Sequence, residues 1–176
     1  MSVEEKYTAP ISKRLPFGEI NTLSPNKLFY YKFKEPVDLH WGLFCCEFAF
    51  YTIDDELVYY NAGQYAQCGD SKNGMQFIYY SQSGNIAFFI ERHSTKTVHY
   101  VIIDLKNKKI FRKLYTTQEE GKIISKTFAH NGFADEKAIE FTGGHFQDLQ
   151  TARIEFEFKN IFGLTSWRPG VVNGEW

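Results

Sequence analysis

The sequence predicts an all-β fold: an antiparallel meander curved into a sandwich or a partly open barrel, with few or no helices. Three observations carry this expectation. From residue 28 onward the chain is a succession of short runs rich in Tyr, Phe, Ile and Val, the residues that suit a pleated, half-buried surface. Short polar connections built from turn-forming residues separate the runs. The segment ARIEFEFKN (152–160) alternates cleanly: Ile154, Phe156 and Phe158 fall on one face, and Arg153, Glu155, Glu157 and Lys159 on the other. A two-residue period with one apolar side is the mark of a strand packed on one face and wet on the other.

Residues 1–20 are polar, carry Pro10 and Pro16, and show no sustained period, so they are expected to be an arm or tail. Residues 21–176 then form a single β-rich domain, a length that buries a sizeable core without disulfides or metal. The first expected strands are LFYYKFK (28–34), GLFCCEFAFYTI (42–53), LVYYN (57–61) and QYAQC (64–68). Four more follow as an antiparallel meander: MQFIYY (75–80), NIAFFIE (85–91), TVHYVIIDL (97–105) and KIFRKLYT (109–116). Their connections, SQSG, RHST and KNK, have the turn chemistry of hairpins. Strand-like runs at KIISKTF (122–128) and KAIEF (137–141) precede the alternating segment at 152–160. TTQEEGK and GHFQDLQTA are expected to hold a turn or two of helix at most.

Within the meander, YYSQSGNIAFFI followed by VIIDLKNKKIFRKLY is similar to the S-x-x-G-x-x-A-F and I-x-D-L pattern of a β-propeller blade. A propeller needs several repeated blades, and the neighbouring segments do not repeat the pattern. The sequence therefore favours a sheet that curls on itself.

The stretch HWGLFCCEFAFY (40–51) gathers a histidine, two cysteines and a glutamate. On an extended strand, neighbouring side chains point to opposite faces. Phe44, Cys46, Phe48 and Phe50 would share one face, and Cys45, Glu47, Ala49 and Tyr51 the other. The two thiols are then split, and Glu47 beside Cys45 disfavours a thiolate. The pair reads as structure rather than as a nucleophile. Cys45, Cys46 and Cys68 lack the C-x₂₋₄-C spacing of a zinc site, so no metal is expected.

Other constellations are equally plain. Asp54, Asp55 and Glu56 fall between two strands, where a hairpin turn explains them, and they lack the spaced ligands and Gly of a calcium loop. His93, His99, His130 and His145 are scattered, and no G-x-S-x-G, P-loop, dinucleotide or H-E-x-x-H motif is present. TGGHF (142–146) reads as a positive-φ turn. KNKKIFRKLY mixes bases with aromatics, but a net charge of −1 argues against a nucleic-acid domain. The N-terminus has no apolar segment of signal-peptide type, and no run of about 18 apolar residues occurs, so no membrane association and a cytoplasmic location are expected. NIFGLTSWRPGVVNGEW brackets a Pro–Gly turn with Trp167 and Trp176; Trp and Arg, here Arg168, are the residue types that dominate binding hot spots.

These observations lead to an expected function class. With no catalytic set and no cofactor motif, the expectation is a non-catalytic interaction protein that binds and blocks a protein partner. Its general character resembles the immunity proteins that neutralise bacterial toxins. The candidate contact residues are Asp54, Asp55, Glu56, Glu155 and Glu157, an acidic set suited to a basic toxin such as a nuclease, together with Trp167, Arg168 and Trp176. The alternative is a β-barrel holding an apolar or sugar-like ligand among its Tyr and Phe side chains. An enzyme on that barrel, using Glu47, His99 or His145 as acid or base, ranks third.

Overall fold

A computed structural model describes residues 7–10, 19–33, 37–40, 43–45, 47–61, 66–70, 76–92, 98–114, 117–130 and 132–149. Thirteen strands and two helices follow one another in these segments. They are β1 (Thr8–Pro10), β2 (Glu19–Asn21), β3 (Phe29–Phe33), β4 (Val37–His40), β5 (Leu43–Cys45), β6 (Phe48–Thr52), β7 (Leu57–Asn61) and β8 (Ala66–Asp70). Next come β9 (Tyr79–Tyr80), β10 (Ile86–Arg92), β11 (Val98–Asp104), β12 (Lys109–Leu114), α1 (Gln118–Phe128), α2 (Asp135–Thr142) and β13 (Gln147–Asp148).

The fold is mostly β, as the patterning predicts. An eight-stranded antiparallel sheet runs β13-β12-β11-β10-β8-β5-β4, with β9 also paired to β10. A three-stranded sheet has the order β3-β6-β7, and β1 pairs with β2 in a separate ribbon. Neither larger sheet closes on itself among the described residues. The meander is present: β9, β10, β11 and β12 pair in sequence, with β10 and β11 in unbroken register from Ile86↔Asp104 to Arg92↔Val98. One edge of β10 is shared in tandem, with β9 beside Ala87 and Phe88 and β8 beside Ile90 and Glu91.

The molecule has three layers. Between the two main sheets lies a core of Tyr31, Phe33, Phe48, Phe50, Val58 and Tyr59 from the small sheet, and Ala87, Phe89, Val101, Ile103 and Ile110 from the large one. The rings interlock edge to face: Phe48 and Phe89 meet across the sheets at 5.0 Å and 83°, and Phe33 meets Phe77 at 5.5 Å and 81°. Such geometry aligns positive ring edges with negative faces. Each fully buried ring contributes about 1.5–3 kcal/mol by leaving water. The opposite face of the large sheet, with Ile86, Phe88, Tyr100 and Ile102, is covered by Ile124, Phe128, Phe133 and Ala138 from the helical layer. On the outer face of the small sheet, Tyr7, Leu23, Tyr30, Ala49 and Tyr51 form a third cluster. Tyr7 is held there through its carbonyl, which accepts from both the Thr22 amide and the Thr22 hydroxyl at 2.8 Å.

Three expectations are corrected. The single strand expected over 42–53 is two strands: β5 (Leu43–Cys45) belongs to the large sheet and β6 (Phe48–Thr52) to the small one. The alternation within β6 holds. Phe48 and Phe50 face the inter-sheet core, whereas Ala49 and Tyr51 face the outer cluster, so both sides are buried. Cys46 lies outside the described residues.

The runs at 122–128 and 137–141, read as strands, are helices. Thr117 caps α1 by accepting the Glu120 amide at 3.1 Å, Glu119 and Glu120 favour its positive end, and Ile124 and Phe128 bury one stripe at i,i+4. In α2, Ala138 and Thr142 repeat that spacing, and Gly143 ends the helix at φ +60°.

The third correction concerns 75–80, where among the described residues only Tyr79 and Tyr80 pair as strand. The predicted strand at 152–160 lies outside the described residues.

Candidate functional site

Asp54, Asp55 and Glu56 are brought together, all exposed, on the turn joining β6 to β7. The turn closes through the Asp55 amide on the Thr52 carbonyl (2.9 Å), the Thr52 amide on the Glu56 carbonyl (2.8 Å) and the Glu56 amide on the Thr52 hydroxyl (3.1 Å). Asp55 has φ +68°, a left-handed conformation that Asp tolerates better than most residues. Its carboxylate also accepts a short hydrogen bond from the Tyr30 hydroxyl. Asp55 therefore anchors the tip while Asp54 and Glu56 present their charge to solvent. Glu155, Glu157, Trp167, Arg168 and Trp176 lie outside the described residues.

Behind the tip, the outer face of the small sheet carries a buried tyrosine cluster. Tyr30 stacks on Tyr51 at 5.5 Å and leans on Tyr7 at 4.9 Å. The Lys32 ammonium stands 5.0 Å from the Tyr51 ring and 5.2 Å from the Tyr30 ring, within cation–π reach. Tyr60 donates a short hydrogen bond to Glu47. Burial, and then the hydrogen bond to a carboxylate, hold both the Tyr30 and Tyr60 hydroxyls well above the ordinary phenol range.

A second polar group sits at the edge of the inter-sheet core. Glu91, buried at 4% exposure, accepts from Asn61 Nδ2 at 2.8 Å and from Arg112 Nε at 3.1 Å. Arg112 also donates to the Tyr59 hydroxyl at 2.8 Å, and Asn61 donates to the same oxygen at 3.0 Å. Burial is the main cause that pushes Tyr59 up to about 12. Burial alone would lower Arg112, but Tyr59 and then Glu91 outweigh it and leave its pKa above the ordinary value. Tyr59 and Asn61 come from β7 of the small sheet, Glu91 and Arg112 from β10 and β12 of the large one, so the cluster pins one sheet to the other. It consumes the hydrogen-bonding capacity that a reacting group would need. Sequence reading did not single out Glu91. The available signal was its place two residues beyond Phe89 on the inward face of β10, with Arg112 two beyond Ile110 on the inward face of β12.

Glu47, His99 and His145 do not converge. They stand just before β6, on β11 and in the turn after α2. Among the described residues, no group of three or more His, Cys, Asp or Glu side chains is placed to hold a metal ion. No helix among them is long and apolar enough to cross a membrane.

The helical layer carries one further feature, which sequence reading missed along with the helices themselves. A groove of about 560 Å³ runs between α1 and α2, lined by Ile123, Ile124, Thr127 and Phe128 on one side and Lys137, Glu140 and Phe141 on the other, with Glu120 at its end. No protein-family model, curated protein or solved structure matches this chain.

Proposed function

We propose that this chain is a non-catalytic interaction protein that binds and blocks a basic protein partner, in the manner of an immunity or inhibitor protein. The observation that carries the reading is the Asp54–Asp55–Glu56 tip: adjacent exposed carboxylates on a turn fixed by three backbone-directed hydrogen bonds and the Tyr30–Asp55 bond. A pre-ordered acidic tip loses little conformational entropy on binding. Its field accelerates encounter with a basic surface and discriminates against acidic ones. The filled space between the sheets disfavours the ligand-barrel alternative, because Phe33, Phe48, Phe50 and Phe89 occupy the position where a ligand would sit.

The test is affinity capture by the tagged full chain from the cells that make it, followed by equilibrium titration with the captured protein. Asp54→Lys/Glu56→Lys leaves Asp55 and its anchoring bond in place. Expected are a basic partner, affinity that falls with salt, and a loss of about 10- to 100-fold in the double variant. Capture of no protein, or equal affinity for both forms, overturns the proposal.

A further inference from the structure

The groove between α1 and α2 is too apolar at its base to be an ordinary wet helical surface. Ile123 lines it at 66% exposure, beside Ile124, Phe128 and Phe141. Amphipathic helices covering a sheet normally turn their large aliphatic residues inward, and here Ile123 on α1 and Ile139 on α2 are left facing water, Ile123 along the groove and Ile139 away from its lining.

The charges at the rim say what covers it. Glu120 is already neutralised by Lys113, whose ammonium lies 2.9 Å from the carboxylate and 5.3 Å from the Phe141 ring. On the outer side of α1, Lys122 approaches Glu119 at 3.6 Å. Lys137 and Glu140 are the remaining charges that line the groove, one helical turn apart on α2, and no ion pair joins either to another described residue. One base and one acid at this spacing form a self-complementary motif. If two copies of α2 meet antiparallel about a two-fold axis between these positions, Lys137 of each faces Glu140 of the other. In such an isologous contact, every interaction is made twice.

We propose that this groove is a homodimer interface. A second copy of the chain lays its α2 antiparallel across the first, each Ile123 entering the other copy's groove and the two Lys137–Glu140 pairs flanking it. Four helices then form the centre of the dimer. The small sheets and their acidic tips lie on the far side of the large sheets from this contact, so both tips remain free. The inference does not depend on what those tips bind.

Sedimentation velocity of the full-length chain over a concentration series tests it. A monomer–dimer equilibrium is expected. Ile123→Glu, at an exposed position that leaves the fold intact by circular dichroism, should weaken it about 100-fold or more, since each copy loses a buried aliphatic side chain and gains a buried charge. Lys137→Glu alone places like charges opposite each other and should weaken dimerisation about 10-fold. Lys137→Glu/Glu140→Lys restores the pairing in reverse and should recover most of that loss. A chain that stays monomeric at every concentration overturns the proposal, as does a dimer indifferent to Ile123→Glu. A double swap no better than Lys137→Glu also overturns it, and so does a groove that captures a different protein while the chain itself remains monomeric.

Discussion

Replacing Arg112 by Met isolates the contribution of the inter-sheet cluster. Methionine keeps an aliphatic stem of similar reach and removes only the guanidinium. Glu91 then loses the donors at 3.1 and 3.3 Å and retains Asn61 at 2.8 Å. Removing one member of a fully buried ion pair costs about 3–5 kcal/mol. Here the Arg112 side chain is 42% exposed against 5% for Glu91, so its removal opens a path for water to the carboxylate. The expected cost is about 2–3 kcal/mol, the lower end of that range reduced for the partial hydration of the site. Glu91→Leu strands a guanidinium that reaches solvent and keeps Tyr59, so it should cost about 1 kcal/mol. The double variant leaves no buried charge and should lie within about 1 kcal/mol of the parent, which makes the coupling between the two sites about 2–4 kcal/mol. Urea unfolding followed by far-ultraviolet circular dichroism, with the slope checked for constancy, measures all four corners. If Arg112→Met lies within about 0.5 kcal/mol of the parent, or if the two substitutions add, the cluster does not hold the sheets together.

Tyrosine ionisation should lag behind pH. Tyr59 holds its proton to about 12 in the folded chain, whereas an unfolded tyrosine releases it near 10. Between those values the unfolded state binds fewer protons, so stability falls as pH rises; the contribution of about 2–3 kcal/mol is whole below pH 10 and gone by pH 12. Tyr30, Tyr60 and Tyr80 shift in the same direction, so absorbance at the tyrosinate band should rise in a late step coincident with loss of the circular dichroism signal. Reversible titration of every tyrosine near pH 10 with the fold intact would contradict this. Gly84→Ala should destabilise by about 1–3 kcal/mol, since its φ is +79° and a Cβ there would sit 2.7 Å from the Asn26 side chain. That clash also disturbs the 2.9 Å bond between Asn26 and Asn85, which ties two turns together; thermal unfolding no different from the parent would show that the turn relaxes without cost.

How much of this was legible depends on which signal each segment carries. The meander could be read because the apolar runs at β10, β11 and β12 are bounded by turns with local chemistry of their own. Asp104, for example, accepts from both the backbone and side-chain nitrogens of Asn107. The acidic tip could be read for the same reason, since Asp and Thr make turns through short-range hydrogen bonds that the sequence displays directly. The break between β5 and β6 could not. Both halves of CCEFAFY favour extended backbone, and only the distribution of partners among two sheets decides that the chain leaves one and enters the other.

The helices were hidden by composition. Ile123, Ile124 and Thr127 have high strand propensity, yet Thr117 and Glu120 stand three apart just before an apolar run, the spacing of a helix start. Where local preference and capping disagree, burial decides. A helix places Ile124 and Phe128 together on Phe88 and Tyr100, whereas a strand would put them on one face with Lys122 and Lys126 as well. The same geometry leaves Ile123 outside. The feature that misled the sequence reading, a pair of adjacent isoleucines, is therefore the one that gives the helical layer both an anchored face and an apolar outer one.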